Sequence, residues 1–227
     1  MAGGALQSAT GFGFALIASP VLVGAYGGAE GISALTLISI AVNAQTLATE
    51  GRRPAGDWRL AGLLVAWFLP GAVLGALVLR VASQELVEVL VAVSVLGAIA
   101  ARVLPAGRRF KLPAAPAGLL AGAFGMSTGV SGPPLVLHLL HAGSPPPRTR
   151  DTLAAVFLAT AILGLGVLAV VGVLALPGGL ALLFAAAAAG HVLGRCMFRE
   201  VGPVAYERLV LATMGVSALA TLVLLAT

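Results

Sequence analysis

Apolar runs, each near the length needed to cross about 30 Å of hydrocarbon, follow one another along almost all of this 227-residue chain. Six read as full spans, at roughly 30–49, 58–79, 86–104, 151–174, 178–198 and 205–226, each bounded by charge, glycine or proline. A soluble domain of this length must cover its surface with polar groups, yet only 9% of the residues are charged and 59% are hydrophobic. The fold class is therefore an all-α polytopic membrane protein, with almost every residue in or beside a bilayer.

Two further segments, 1–28 and 113–143, are each interrupted midway by a glycine-rich break. The first break is Thr10-Gly11-Phe12-Gly13 and the second Thr128-Gly129-Val130-Ser131-Gly132-Pro133-Pro134. Each segment reads as two half-helices joined by an irregular tip. A shift of 119 residues superposes Gly71, Val73, Leu74, Gly75, Arg80, Glu88 and Leu90 on Gly190, Val192, Leu193, Gly194, Arg199, Glu207 and Leu209. Chance in so biased a composition gives about two such identities in that window. The same shift pairs Ser8 with Ser127 and Gly13 with Gly132, so the broken segments hold equivalent places. The expected organisation is a first membrane repeat at 1–104, a basic linker at 105–112 and a second repeat at 113–227, each repeat being one broken segment plus three spans.

Charge bears on topology. Eight full spans in two parallel repeats, the alternative architecture, would divide the thirteen Lys and Arg seven to six between the two sides. If each broken segment instead dips in and returns, twelve basic residues face one side and only Arg80 the other. Short cytoplasmic loops carry the positive charge, so the second arrangement is the more physical, and it inverts one repeat relative to the other. The net charge of +5 is then topogenic and offers nucleic acid no soluble surface to meet. The single cysteine, Cys196, excludes an intramolecular disulfide and a cysteine-based metal cluster. The first residues carry no basic region of a cleavable signal, so the first span is expected to direct insertion itself.

Irregular backbone at membrane depth must be wrapped in protein or face a water-filled cavity. The tips are therefore expected to be buried and to face each other, with second half-helices beginning at about Phe14 and Pro133. A helix start presents unpaired N–H groups and the positive end of a dipole, which suits an anion. Pro133 fits the first helical position, and Gly11, Gly13, Gly129 and Gly132 let backbone approach a ligand. Ser8, Thr10, Ser127, Thr128 and Ser131 add hydroxyls. Small and hydroxyl residues in membrane helices also serve packing alone, which is the competing reading for each of them taken singly.

The run Gly11-Phe12-Gly13-Phe14-Ala15-Leu16-Ile17-Ala18-Ser19-Pro20-Val21-Leu22 resembles the first-repeat motif of the TauE/SafE family of sulfite exporters. Gly129-Val130-Ser131-Gly132-Pro133-Pro134-Leu135-Val136-Leu137 resembles its second-repeat motif, and Gly-x-x-Leu-Gly at 71–75 and 190–194 is also similar to family members. The resemblance covers essentially the whole chain. It implies secondary transport of a small anion, typically sulfite, a sulfonate or another sulfur-containing oxyanion, in the bacterial cytoplasmic membrane. Movement of one repeat against the other would expose the anion to alternate sides. The expected partners are that anion and the bilayer, with a homo-oligomer left open and no cofactor.

Among other polar residues, Asn43 lies deep in its span, where it either completes the anion site or bonds a neighbouring helix. His191, also within a span, is a candidate for proton coupling, against a neutral histidine bonded to a carbonyl. His138 and His141 share a helix face, but a metal site needs three or four ligands and no third is near. Arg80 and Arg199 are expected to snorkel at span ends, Arg195 to attract an anion or reach headgroups, and Arg148, Arg150 and Asp151 to form a solvated helix start. The only lysine, Lys111, sits in the linker and belongs to no phosphate-binding loop. No Ser/His/Asp set or carboxylate pair falls within one span, which argues against an enzyme. A structural or assembly subunit would not need two matched breaks.

Overall fold

The computed structural model describes residues 3–4, 7, 13–48, 54–103, 112–141 and 146–198. The described chain is helical: α1 (Phe14–Tyr26), α2 (Gly28–Ala48), α3 (Trp58–Val81), α4 (Gln84–Val103), α5 (Ala114–Thr128), α6 (Gly132–His141), α7 (Pro146–Val171) and α8 (Leu180–Phe198), with no strand among the described residues. Among the described residues, three stretches are long and apolar enough to cross a membrane: Gly28–Ala48, Trp58–Val81 and Arg148–Val171. The span expected at 205–226, the linker at 105–111 and Arg199 lie outside the described residues.

Glycine sets where the broken segments break. Helix α5 ends at Gly129, whose φ of 76° is left-handed and whose N–H bonds Gly125 O at 3.0 Å. A side chain would strain that backbone, so the chain turns there and resumes at Gly132. Gly13, at φ 103°, plays the corresponding part immediately before α1. Helix α6 then runs back beside α5: His138 Nδ1 lies 2.8 Å from the carbonyl oxygen of Leu112, two residues before α5 begins. Segment 112–141 is a hairpin.

Hydrogen bonds gather the connections at two ends. At one end Gln84 accepts the Gly28 N–H (2.9 Å) and donates to Val23 O (3.2 Å), and Ser33 Oγ accepts the Ala175 N–H (3.2 Å). At the other, Asp151 Oδ2 accepts the Ala55 N–H at 2.7 Å and Thr152 Oγ1 the Asp57 N–H at 2.8 Å. Asp57 also caps α3 through Leu60 N–H (3.0 Å) and pairs with Arg148 at 3.1 Å. The expected solvated start holds for Arg148, whose side chain is half-exposed, and is corrected for Asp151. Asp151 is only 2% exposed, because the N–H groups of the 54–57 loop need an acceptor and this carboxylate supplies one.

The closest packing joins α3 to α5. Helix α3 turns Ala61, Gly71, Ala72, Gly75 and Ala76 inward and leaves Leu63, Trp67, Leu69, Val73, Leu74 and Leu77 exposed. Lipid solvates those bulky side chains as well as protein does, so close backbone approach decides which face is inside. A Cβ on Gly71 would sit 2.0 Å from Leu119 O, and one on Gly75 2.2 Å from Ala123 O. Reciprocally, Gly118 and Gly122 leave no room against Leu64 O (2.6 Å) and Phe68 O (2.2 Å). Gly4 meets α8 in the same way, at Ala187 O (2.5 Å) and His191 N (3.1 Å).

Candidate functional site

A cavity of about 50 Å³ opens where the two breaks meet. By the rule that one water needs about 10–15 Å³, it holds three or four waters or one small oxyanion. The start of α1 supplies Gly13, Phe14, Ala15 and Leu16, and the second break supplies Gly125, Met126, Gly129, Ser131 and Gly132. Helix α2 contributes Leu35, Thr36, Ser39 and Asn43, which its 3.6-residue period brings to one face. Phe68 of α3 and Phe157, Thr160 and Ala161 of α7 close the apolar wall, and Gln7 completes the polar edge.

Amides order that edge. Gln7 is 3% exposed; its Oε1 accepts the Phe14 N–H at 3.3 Å and its Nε2 donates to Asn43 Oδ1 at 2.8 Å. Asn43, also 3% exposed, donates from Nδ2 to Ser39 O at 2.8 Å, which leaves its second amide hydrogen on the cavity side. Helix α6 begins at Gly132, one residue before the expected start, so Pro133 and Pro134 are its second and third residues. Two of the four N–H groups that a helix start leaves unpaired are thereby removed, and the donors that remain are Ser131 and Gly132. Both line the cavity, and no Lys, Arg or His does so among the described residues.

Of the residues singled out from the sequence, the structure brings Gly13, Phe14, Asn43, Gly129, Ser131 and Gly132 together. Ser127 and Thr128 are turned away. Their hydroxyls bond back to Ala123 O (2.8 Å) and Phe124 O (2.7 Å), as hydroxyls in apolar helices commonly do. Thr128 instead ties the end of α5 to the middle of α1 through its carbonyl, which accepts the Ser19 hydroxyl. Neither Pro133 nor His191, which is 2% exposed on α8, is part of the cavity wall. Ser8, Thr10 and Gly11 lie outside the described residues. The sequence reading missed Gln7, Thr36, Ser39 and Thr160. A lone glutamine deep in an apolar run was a signal equal to Asn43, whereas three hydroxyls among many were none.

A profile of the sulfite exporter TauE/SafE family matches residues 1–221. The chain belongs to the TauE/SafE family. It is similar to the probable sulfite/organosulfonate exporter TauE of Cupriavidus necator, with 31% identity over 175 residues, 70% of this chain and 65% of that protein. This TauE/SafE chain thus spans just under two thirds of the length of that curated relative. No solved structure matches it. Family membership and the apolar spans make it an integral membrane protein.

Proposed function

We propose that this chain is a secondary transporter of a small anion of the sulfite or organosulfonate kind, bound in the cavity between the two helix breaks. The observation that carries the reading is the meeting of Gly13–Phe14 with Gly129–Gly132 at one cavity whose polar edge offers neutral donors. The substrate class follows the name of the Cupriavidus necator relative. Asn43, Ser131 and the Gly132 N–H would hold the anion, with Ser8, Thr10 and Gly11 extending the first tip. A hydrogen bond to a charged group contributes about 1.5–3 kcal/mol. Three or four of them offset a desolvation cost of several kcal/mol. A potential negative inside favours outward movement by ~2.3 kcal/mol per charge per 100 mV, so export needs no separate energy source. His191 does not line the cavity, so proton coupling through it would lack direct contact with the anion.

Purified protein in proteoliposomes is expected to carry sulfite or a simple sulfonate such as methanesulfonate down an imposed gradient. Absence of flux for every small anion would favour an assembly or enzymatic role.

The same reading takes residues 1–104 and 113–227 as inverted repeats joined by 105–112, in the bacterial cytoplasmic membrane. Eight parallel crossings would put the 54–57 loop and residues 151–152 on opposite sides, whereas Ala55 and Asp57 bond Asp151 and Thr152. Phe68 and Ala72, which Gly122 touches, have Ala187 and His191 as their equivalents 119 residues on, and Gly4, next to Gly122's own equivalent Gly3, touches those. In a background with Cys196 replaced by serine, cysteines at Arg59 and Arg148 are expected to label from the cytoplasmic face and one at Gly178 from the other. Labelling of 59 and 148 from opposite faces would refute the inversion.

A further inference from the structure

Beside the Ser39 and Ser131 hydroxyls, which can donate or accept, the polar groups of the cavity are of two kinds, and the division bears on the charge of what it takes. Donors come first. The Phe14 N–H occupies Gln7 Oε1, the Gln7 amide nitrogen donates to Asn43 Oδ1, and Asn43, having given one amide hydrogen to Ser39 O, keeps one N–H to donate. Acceptors are the second kind. Thr36 donates its hydroxyl hydrogen to Ile32 O at 2.7 Å and Thr160 its own to Phe157 O at 3.3 Å. Each then turns lone pairs alone toward the cavity it lines. No titratable side chain of either sign lines this space among the described residues; His191 and Asp151 are buried elsewhere.

Neutral dipoles reward an anion in proportion to its charge, whereas the cost of taking it out of water rises with the square. A second negative charge thus doubles the gain and raises the cost about fourfold, a debt that a fixed cation would have to cover. The lone pairs of Thr36 and Thr160 repel a bare oxyanion but accept a proton that the ligand itself carries. Deepening the transport reading above, and resting on it, we infer that the site takes its substrate as a monoanion and carries sulfite as hydrogen sulfite. One proton then travels with each sulfur atom inside the substrate, and no protein side chain needs to relay it.

Three probes test this in proteoliposomes holding the full chain, from mildly acid to mildly alkaline pH. Methanesulfonate carries one negative charge throughout, sulfate carries two, and sulfite passes from one to two near neutrality. At fixed total concentration sulfite flux is expected to fall about tenfold per pH unit once the monoanion becomes the minor form. Methanesulfonate flux should stay level, with sulfate slower by at least about a hundredfold. Sulfate moving as fast as methanesulfonate, or sulfite flux level across the range, overturns the monoanion inference and leaves transport standing. Failure of all three probes at every pH overturns the transport reading beneath it.

Discussion

Gly122→Ala is expected to yield a protein that inserts poorly and melts early, although the change adds one methyl group. The new Cβ would lie 2.2 Å from Phe68 O, 2.5 Å from Ala72 N and 2.9 Å from Gly71 C. These are backbone atoms of α3, and no rotamer change can move them aside. Helices α3 and α5 must separate along their whole seam, which also lifts Gly71, Gly75 and Gly118 off their contacts. Overpacking costs about 1–3 kcal/mol where side chains can adjust, and a backbone clash belongs at or above the top of that range. Gly166→Ala is the matched control, since nothing lies within 4 Å of a Cβ there. Removing a helical glycine at such a site changes stability by roughly 0.5–1 kcal/mol in the favourable direction. Thermal midpoints in detergent decide the matter. Equal midpoints for the two variants would mean that the α3–α5 seam is looser than its distances say.

Gly132→Leu should do the opposite, sparing the fold and stopping transport. A Cβ at Gly132 meets only Phe157 Cζ, at 3.8 Å, an ordinary contact. Gly132 lines the cavity, so the three carbons of leucine beyond Cβ would enter a space that holds only a few waters. Anion flux is expected to drop by at least about a hundredfold, the scale of loss when a bound group cannot reach its place. The thermal midpoint should stay within a few degrees of the parent, since a surface of the cavity and not a packed seam has changed. Flux that survives this substitution in a folded protein would take the second break out of the anion's path.

Much of this was legible in the sequence because lipid imposes length and glycine imposes breaks. The break expected at Thr128–Pro134 is a turn at Gly129–Ser131, and α1 begins at Phe14 as read. What could not be read is which connections meet. Asp151 looked solvated because nothing local distinguishes a carboxylate at a helix start from one that serves a loop 96 residues away. Thr36, Ser39 and Thr160 join the cavity only through tertiary placement. Helices apolar on all sides carry no periodic stripe to show which face is turned in. The glycines at 71, 75, 118 and 122 did carry that information, as spacing, for a reader who treats smallness as the inward signal.

The seam those glycines form has a mechanical corollary. Helix α3 precedes the proposed linker and α5 follows it, yet their backbones touch at the glycines with no side chain between to act as a bearing. Gly4 and α8 form a like junction with the halves exchanged. If the chain carries an anion as proposed, a see-saw of one half over the other would tear both junctions, and each body that shifts would have to borrow helices from both halves of the chain.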